Sequence, residues 1–409
     1  MTIFRIFNLI FLLLLISCKK ETPNKIVLKN ANIINVLNGQ VITNSLLIEN
    51  TRIKEIGRYK TFNTDSSITI IDCTGKYIIP GLFDMHTHLL EHKNSTKHLD
   101  SLLKLGITSV RDMGGHADSL AQLKLNIDKG LISSPDVYFA GYTLDGIKDR
   151  EKEDPTTWII TDTTNLNKVV TKLKYYGVDF LKVHSYFPDN RLEELISISS
   201  ENNLSVVGHI PRHIDPITAV KLGLTSVEHS NSIIESLVTA QNNDVENITT
   251  AFAALDSTYL DNFANAFKEY NSAFTPTLHI INKIYQANPD ENMRRLGKLM
   301  MDRFLKLTYT LNENGVLLLA GSDDVPIDET NLTSLHKELQ WLVKAGLTPV
   351  EAIQAATINP AKFLKINSDY GSIEVNKKAD LIILNGNPLD DISNTLDISR
   401  TLKNGKFVN

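Results

Sequence analysis

His86 and His88 stand two residues apart in GLFDMHTH (81–88), at the end of a β-prone run. Side chains alternate faces along a strand, so residues i and i+2 point the same way and both imidazoles can converge on one point. Cys18 and Cys73 are the only cysteines, and they make neither a CxxC pair nor a disulfide framework. Any metal bound here must therefore be held by His, Asp, Glu or Lys. Further candidates are Lys182 in VDFLKVH, His209 in SVVGHI, His229 in TSVEHS and Asp323 in VLLLAGSD. A lone strand histidine is ordinarily a hydrogen-bonded structural residue, and Asp323 could simply cap the helix that follows it. Lys182 is a costly cation to bury without a partner. What raises these residues above coincidence is that all six close strand-like runs.

The elements that must position them recur. Strand candidates occupy 81–88, 107–113, 136–141, 178–184, 205–210, 225–230, 273–278 and 316–323, with helical segments between. Gly106, Gly130, Gly177, Gly223, Gly315 and Gly346 end helical segments in the manner of left-handed C-caps. Asp215-Pro216 and Thr348-Pro349 read as N-caps followed by a first-turn proline. Eight β/α units predict an α/β fold, a (β/α)₈ TIM barrel over 80–365, and in that fold the active site lies at the carboxyl ends of the strands. No GxGxxG or Walker motif follows any strand, so nucleotide binding has no support. Residues 231–272 form an insertion after the sixth strand and are a candidate lid. Short β-like runs fill 26–79 and return over 366–409, which predicts a small composite β-sandwich module built from both ends of the chain.

Here the residues resemble a family. PGLFDMHTHL, FLKV, GHI, EHS and GSD are similar to the motifs of the amidohydrolase superfamily, and the likeness covers nearly all of 18–409. TSVRDMGG, GLTPVEAIQAATINPAKFL and GSIEVNKKADLIIL resemble its imidazolonepropionase-like and prolidase-like branch. The resemblance implies that His86, His88 and Asp323 bind one divalent ion and that His209 and His229 bind a second. It implies that Lys182, carboxylated on its amine, bridges both. Zinc is the default on ligand type, and manganese, iron or cobalt would accept the same set. The implied chemistry is hydrolysis of a C–N amide bond in a small molecule, linear or cyclic, by a hydroxide held between the ions, with Asp323 as ligand and base. A lactonase or esterase would use the same site, and a ligand-binding protein that has lost catalysis is the alternative from another class.

Substrate contacts are read from strand ends. Arg111 either clamps a substrate carboxylate or pairs with Asp112 or another acid at the rim. Tyr142 and Tyr186 follow strands three and four and are candidate substrate contacts, as are His184, His213, His279 and His116. Prolidase-like members carry a histidine after strand three; AGYTLDGIKDREKEDPTTW has none, so the resemblance does not by itself assign a dipeptidase, and a dipeptide-like compound stays among the linear substrates.

The N-terminus reads as an address. Arg5 precedes an apolar run from Leu9 to Ile16, whose eight residues are too few to span a bilayer as a helix. Leu15-Ile16-Ser17-Cys18 resembles a bacterial lipobox, which predicts a signal peptide over 1–17, a lipid on Cys18 and a polar tether to residue 25. The protein is then exported and anchored to a bacterial membrane. Over all 409 residues, 42 Lys plus Arg against 47 Asp plus Glu give a net charge of −5, which argues against nucleic acid as a partner. With 42% apolar and 22% charged residues the composition is ordinary for a globular chain.

Overall fold

Runs such as FLKV (180–183) and SVVG (205–208) are apolar at nearly every position, as strands covered on both faces must be. The computed structural model describes residues 24–62, 68–91, 95–147, 154–240, 255–323 and 332–409. Strands β1 (Lys25–Ile34), β2 (Val41–Glu49), β3 (Arg52–Gly57), β4 (Thr69–Asp72) and β5 (Tyr77–Pro80) come first. Next come β6 (Leu82–Thr87), β7 (Ile107–Asp112), β8 (Asp136–Phe139), β9 (Thr143–Asp145) and β10 (Thr157–Ile159). They are followed by β11 (Phe180–Val183), β12 (Ser205–Gly208), β13 (Leu224–Glu228), β14 (Ala273–Thr275) and β15 (Leu317–Leu318). The last three are β16 (Leu381–Leu384), β17 (Ile398–Lys403) and β18 (Lys406–Phe407).

Parallel pairing runs through β6, β7 and β8, and again through β9, β11, β12, β13, β14 and β15. The two arcs close into a ring where Met85 N–H donates to Ala320 O and Asp179 N–H to Phe139 O, both at 2.9 Å. These are the eight barrel strands the sequence predicts. The third is in two pieces, because Gly141 at φ 73° turns the chain between β8 and β9. Helices surround the ring and bury an apolar stripe against it. Leu166–Tyr175, for example, buries Leu166, Val169, Val170 and Leu173. Caps fall where the sequence places them. The Asp215 side chain accepts from Ile217 and Thr218 N–H, and Thr348 forms a reciprocal cap with Glu351.

The described residues cover part of the candidate lid. The described parts of 231–272 include two helices, Ser230–Ala240 and Ser257–Glu269. The second buries Leu260, Phe263 and Phe267 in the main core, and Tyr259 Oη donates to Asp215. An apolar stripe of that kind belongs to the outer helical layer rather than over a mouth. Residues 241–254 lie outside the described residues, as does the N-terminal stretch with Cys18.

Strands from both ends of the chain join in one eight-stranded sheet, ordered β18-β17-β16-β5-β1-β2-β3 with β4 also paired to β1. β16 runs antiparallel to β5, Leu381 opposite Pro80. This module has its own apolar core, including Leu28, Leu46, Ile48, Ile78, Leu381 and Leu402.

Candidate metal centre

Six side chains reach one place from five barrel strands. His86 belongs to β6 and His88 follows it, Lys182 sits in β11, His209 follows β12, His229 follows β13, and Asp323 lies beyond β15. Asp323 is the hub: Oδ1 lies 3.4 Å from His88 Nε2 and 3.5 Å from His86 Nε2, and Oδ2 lies 3.7 Å from His229 Nδ1. Donor atoms of His86, His229 and Asp323 all lie within 4.8 Å of one another. The His209 ring stands edge-on to that of His229, centroids 4.7 Å apart. Lys182, 4% exposed, lines the same cavity of about 460 Å³.

Two of these residues owe their aim to unusual backbone. His229 and Asp323 have φ of 64° and 47°, the left-handed region that L residues rarely adopt. Each still donates its N–H to a neighbouring strand, His229 to Thr275 O and Asp323 to His86 O, both at 2.8 Å. The chain thus stays in the ladder while its side chain swings over the barrel mouth. Gly321 makes the close approach possible, since a Cβ there would lie 2.7 Å from His86 Cβ.

The surroundings prepare the donors for a cation. His86 Nδ1 is 2.9 Å from Glu228 Oε2, and its Nε2 is buried without a hydrogen-bond partner among the described residues. A carboxylate on one ring nitrogen fixes the tautomer and leaves the other with its lone pair, as in metal-ligating histidines. An unsatisfied buried acceptor costs about 1–3 kcal/mol, which coordination relieves. Burial pulls His86 down to about 3 and His229 to about 4, so both are neutral donors at ordinary pH. Burial also lowers His209 well below the usual imidazole range, with His184 and His229 adding to it. Burial works against the charge on Asp323, yet His86, His229 and His88 together hold its carboxyl far below the carboxylate range. Lys182 has no carboxylate within ion-pair distance among the described residues, and burial depresses its ammonium. The donor set of imidazoles, one carboxylate and a depressed lysine therefore fits divalent cations.

Arg111 requires correction as a substrate clamp. It is fully buried, its Nη2 donates to Glu228 Oε1 at 2.7 Å and Oε2 at 2.9 Å, and its Nε donates to Met85 O at 2.6 Å. Its partner is Glu228 rather than Asp112. Arg111 holds Glu228, which holds His86. Glu228 is the functional residue that the sequence reading missed, although it stands directly before His229 in EHS. Asp112 was passed over as well: it accepts from Leu89 and Gly114 N–H, and burial pushes it up to about 6.

The two tyrosines also miss the cavity. Within β9, Thr143 and Asp145 share the face that lines it, so Tyr142 has the opposite parity and packs edge-on to Trp158 and His116 in a separate groove. Tyr186 lies beneath the Arg212 guanidinium, whose Cζ is 4.4 Å from the tyrosine ring centroid, and it does not line the cavity. His184 does line the cavity, stacked on His209 at 3.9 Å with Nδ1 3.3 Å from Asp145. His213 is exposed, and His279 is buried away from the lining.

Comparison with known proteins bears on this arrangement. Residues 77–408 match the amidohydrolase family. The chain is 26% identical to a 5'-deoxyadenosine deaminase of Methanobrevibacter smithii, over 91% of this chain and 88% of that one. It is 24% identical to an imidazolonepropionase of Christiangramia forsetii, over 89% and 91%. It also matches adenine deaminases, of which it spans 57% to 59% of the length. Among solved structures, a prolidase complexed with N-methylphosphonate-L-proline shares the fold at a TM-score of 0.76 and 20% identity, covering 94% of this chain and 99% of that one.

Proposed function

Because this chain belongs to the amidohydrolase family, we propose that it is a metal-dependent hydrolase cleaving a C–N amide bond in a linear acyl-amino compound or a cyclic amide. The observation that carries this reading is the cluster of three imidazoles around Asp323, with His86 Nε2 buried and unbonded. His86, His88 and Asp323 would hold one divalent ion, His209 and His229 a second, and carboxylated Lys182 would bridge them. Zinc suits these ligands, and manganese, iron or cobalt would accept them. Divalent ions bound there supply Lewis acidity toward a carbonyl and acidify a coordinated water.

The chain's own residues do the rest. Asp323 takes the proton of the attacking water and passes it to the departing amine, which leaves as a neutral species. Glu228, anchored by Arg111, keeps His86 in the tautomer that presents Nε2. Carboxylation of Lys182 needs the neutral amine, the form that burial favours. It joins the neutral amine to carbon dioxide, releases one proton and turns the buried lysine into an anionic ligand.

The test is amine release by zinc- or manganese-loaded protein on linear amides, cyclic imides and lactones, with Asp323→Asn as the blank. Release from amides falling about 10³-fold in the blank supports the reading. Turnover of lactones alone would replace it with a lactonase, and binding without turnover would replace it with a non-catalytic protein. We also propose that the lipobox-like LISC anchors the protein through Cys18. Cys18→Ala should move it from the membrane to the soluble fraction, and unchanged fractionation would refute the anchor.

A further inference from the structure

Resting on the reading of His229 as a ligand of the second ion, we propose that Glu338 is a positioning residue. It takes over the capping of the helix Leu278–Ala287 and so frees Thr277 to hold the His229 ring. That helix starts just beyond β14, at the rim, and its first N–H groups have no partner within the helix. A threonine at the N-cap ordinarily stands in extended backbone and satisfies one of them with its hydroxyl. Thr277 does neither. Its φ is 49° and its ψ 46°, its side chain makes no cap bond, and its hydroxyl lies 2.7 Å from His229 Nδ1.

The cap comes instead from the helix Ser334–Ala345, 60 residues further along the chain. Glu338 is fully buried there. Its Oε1 accepts from Leu278 N–H at 3.0 Å and its Oε2 from His279 N–H at 2.6 Å. One carboxyl thus serves the first two N–H groups of the helix. Burial pushes Glu338 up to about 8, while these two N–H groups pull it down. In either protonation state the carboxyl keeps an oxygen for each donor. A carboxamide cannot, because its nitrogen would turn hydrogens toward an N–H.

The residues before the helix are stitched to the ligand. His229 N–H donates to Thr275 O at 2.8 Å, and Ser230 N–H donates to Pro276 O at 3.2 Å. Thr277 stands between these bonds and the Glu338 clamp, in a conformation that a β-branched residue adopts only under constraint. With the clamp weakened, the Thr277 hydroxyl is drawn back to its own helix and the His229 ring loses its partner. Held at one ring nitrogen, an imidazole offers the other to a cation, and loss of such support lowers metal affinity about 10- to 100-fold.

Glu338→Gln tests this, alongside Thr277→Val and the double variant. Calorimetric zinc titration should show affinity for the second ion about tenfold weaker in each single variant. The double variant should lose no more, because both changes remove the same contact. Unchanged affinity in Glu338→Gln, as a role in folding alone would give, overturns the proposal, and so do losses that add. A second reading needs no metal: ¹⁵N NMR of histidine-labelled, chelator-stripped protein. Glu338→Gln should shift the His229 ring nitrogens and leave those of His86, bonded to Glu228, in place. Movement of both rings, or of neither, overturns the proposal. If the wild type takes up fewer than two zinc ions, the two-ion reading falls, and the ring nitrogens alone decide on Glu338. Should Glu338→Gln not fold, Glu338→Asp, which withdraws the carboxyl from both N–H groups, is read in the same two ways.

Discussion

The terminal β module and the barrel rim both contain residues with left-handed backbone, but of very different kinds. In the module and its turns these are Asn30, Asn50, Asn376 and Asn404, a residue that tolerates the conformation. At the rim they are His229, Thr277 and Asp323, and threonine, branched at Cβ, is among the least suited to it. Buried charge is found in both: the rim buries Arg111, Lys182, Glu228 and Asp112, and the module buries Lys377 and Asp380, the latter 2.7 Å from Lys403 Nζ. The module follows local preference at these turns, and the rim departs from it at His229, at Asp323 and at the Thr277 that bonds His229. Strain of this kind persists where surrounding structure enforces it, and it collects at functional sites.

The largest effect should come from breaking the buried support of the rim. Arg111→Met leaves Glu228 uncompensated in the core and should cost about 3–5 kcal/mol of unfolding free energy. Urea denaturation would read it, and a loss below 1 kcal/mol would remove Arg111 from this role. Next is the seam between the two regions. His336 Nδ1 lies 3.0 Å from Thr395 Oγ1 beside the module, and its Nε2 lies 3.0 Å from Leu105 O in the barrel. Burial lowers it from 6.5 to about 4. The unfolded chain therefore takes up the proton first. His336's contribution is fully present above about pH 6.5 and lost as pH falls through about 4, on the order of 3 kcal/mol. His336→Gln should flatten the stability profile across that window relative to wild type, and parallel profiles would contradict this.

The smallest effects test the comparison itself. Thr277→Gly should relieve strain and raise stability by about 1 kcal/mol. It also removes the hydroxyl 2.7 Å from His229 Nδ1, so metal affinity should fall about tenfold. Asn50→Gly in the module should shift stability by less than about 0.5 kcal/mol and leave metal affinity unchanged. Equal responses at the two positions would dissolve the distinction.

The barrel was legible because its strands are continuous apolar runs and its helices carry caps such as Asp215-Pro216, both local signals. The ligand candidates were legible because each closes a strand run. Glu228 was not, because its role depends on an arginine 117 residues away in the chain. Arg111 stayed open between a clamp and an ion pair for the same reason: strand position gives the end of the barrel a residue occupies, but not which acid faces it across the interior. Tyr142 was lost to the turn at Gly141, which shifts parity between β8 and β9 by a change no periodicity records. Ile284 reads in sequence as part of an ordinary helix face, and only its exposure beside the ligand cluster marks it out.

Metal stoichiometry tests the proposed two-ion site bridged by Lys182 most directly. The protein would be stripped with chelator, reloaded with zinc, desalted and analysed by elemental mass spectrometry, alongside Lys182→Ala. Two zinc ions per wild-type chain and one or none in the variant are the expected result. A wild type that retains no divalent ion, or a variant that retains both, would contradict it.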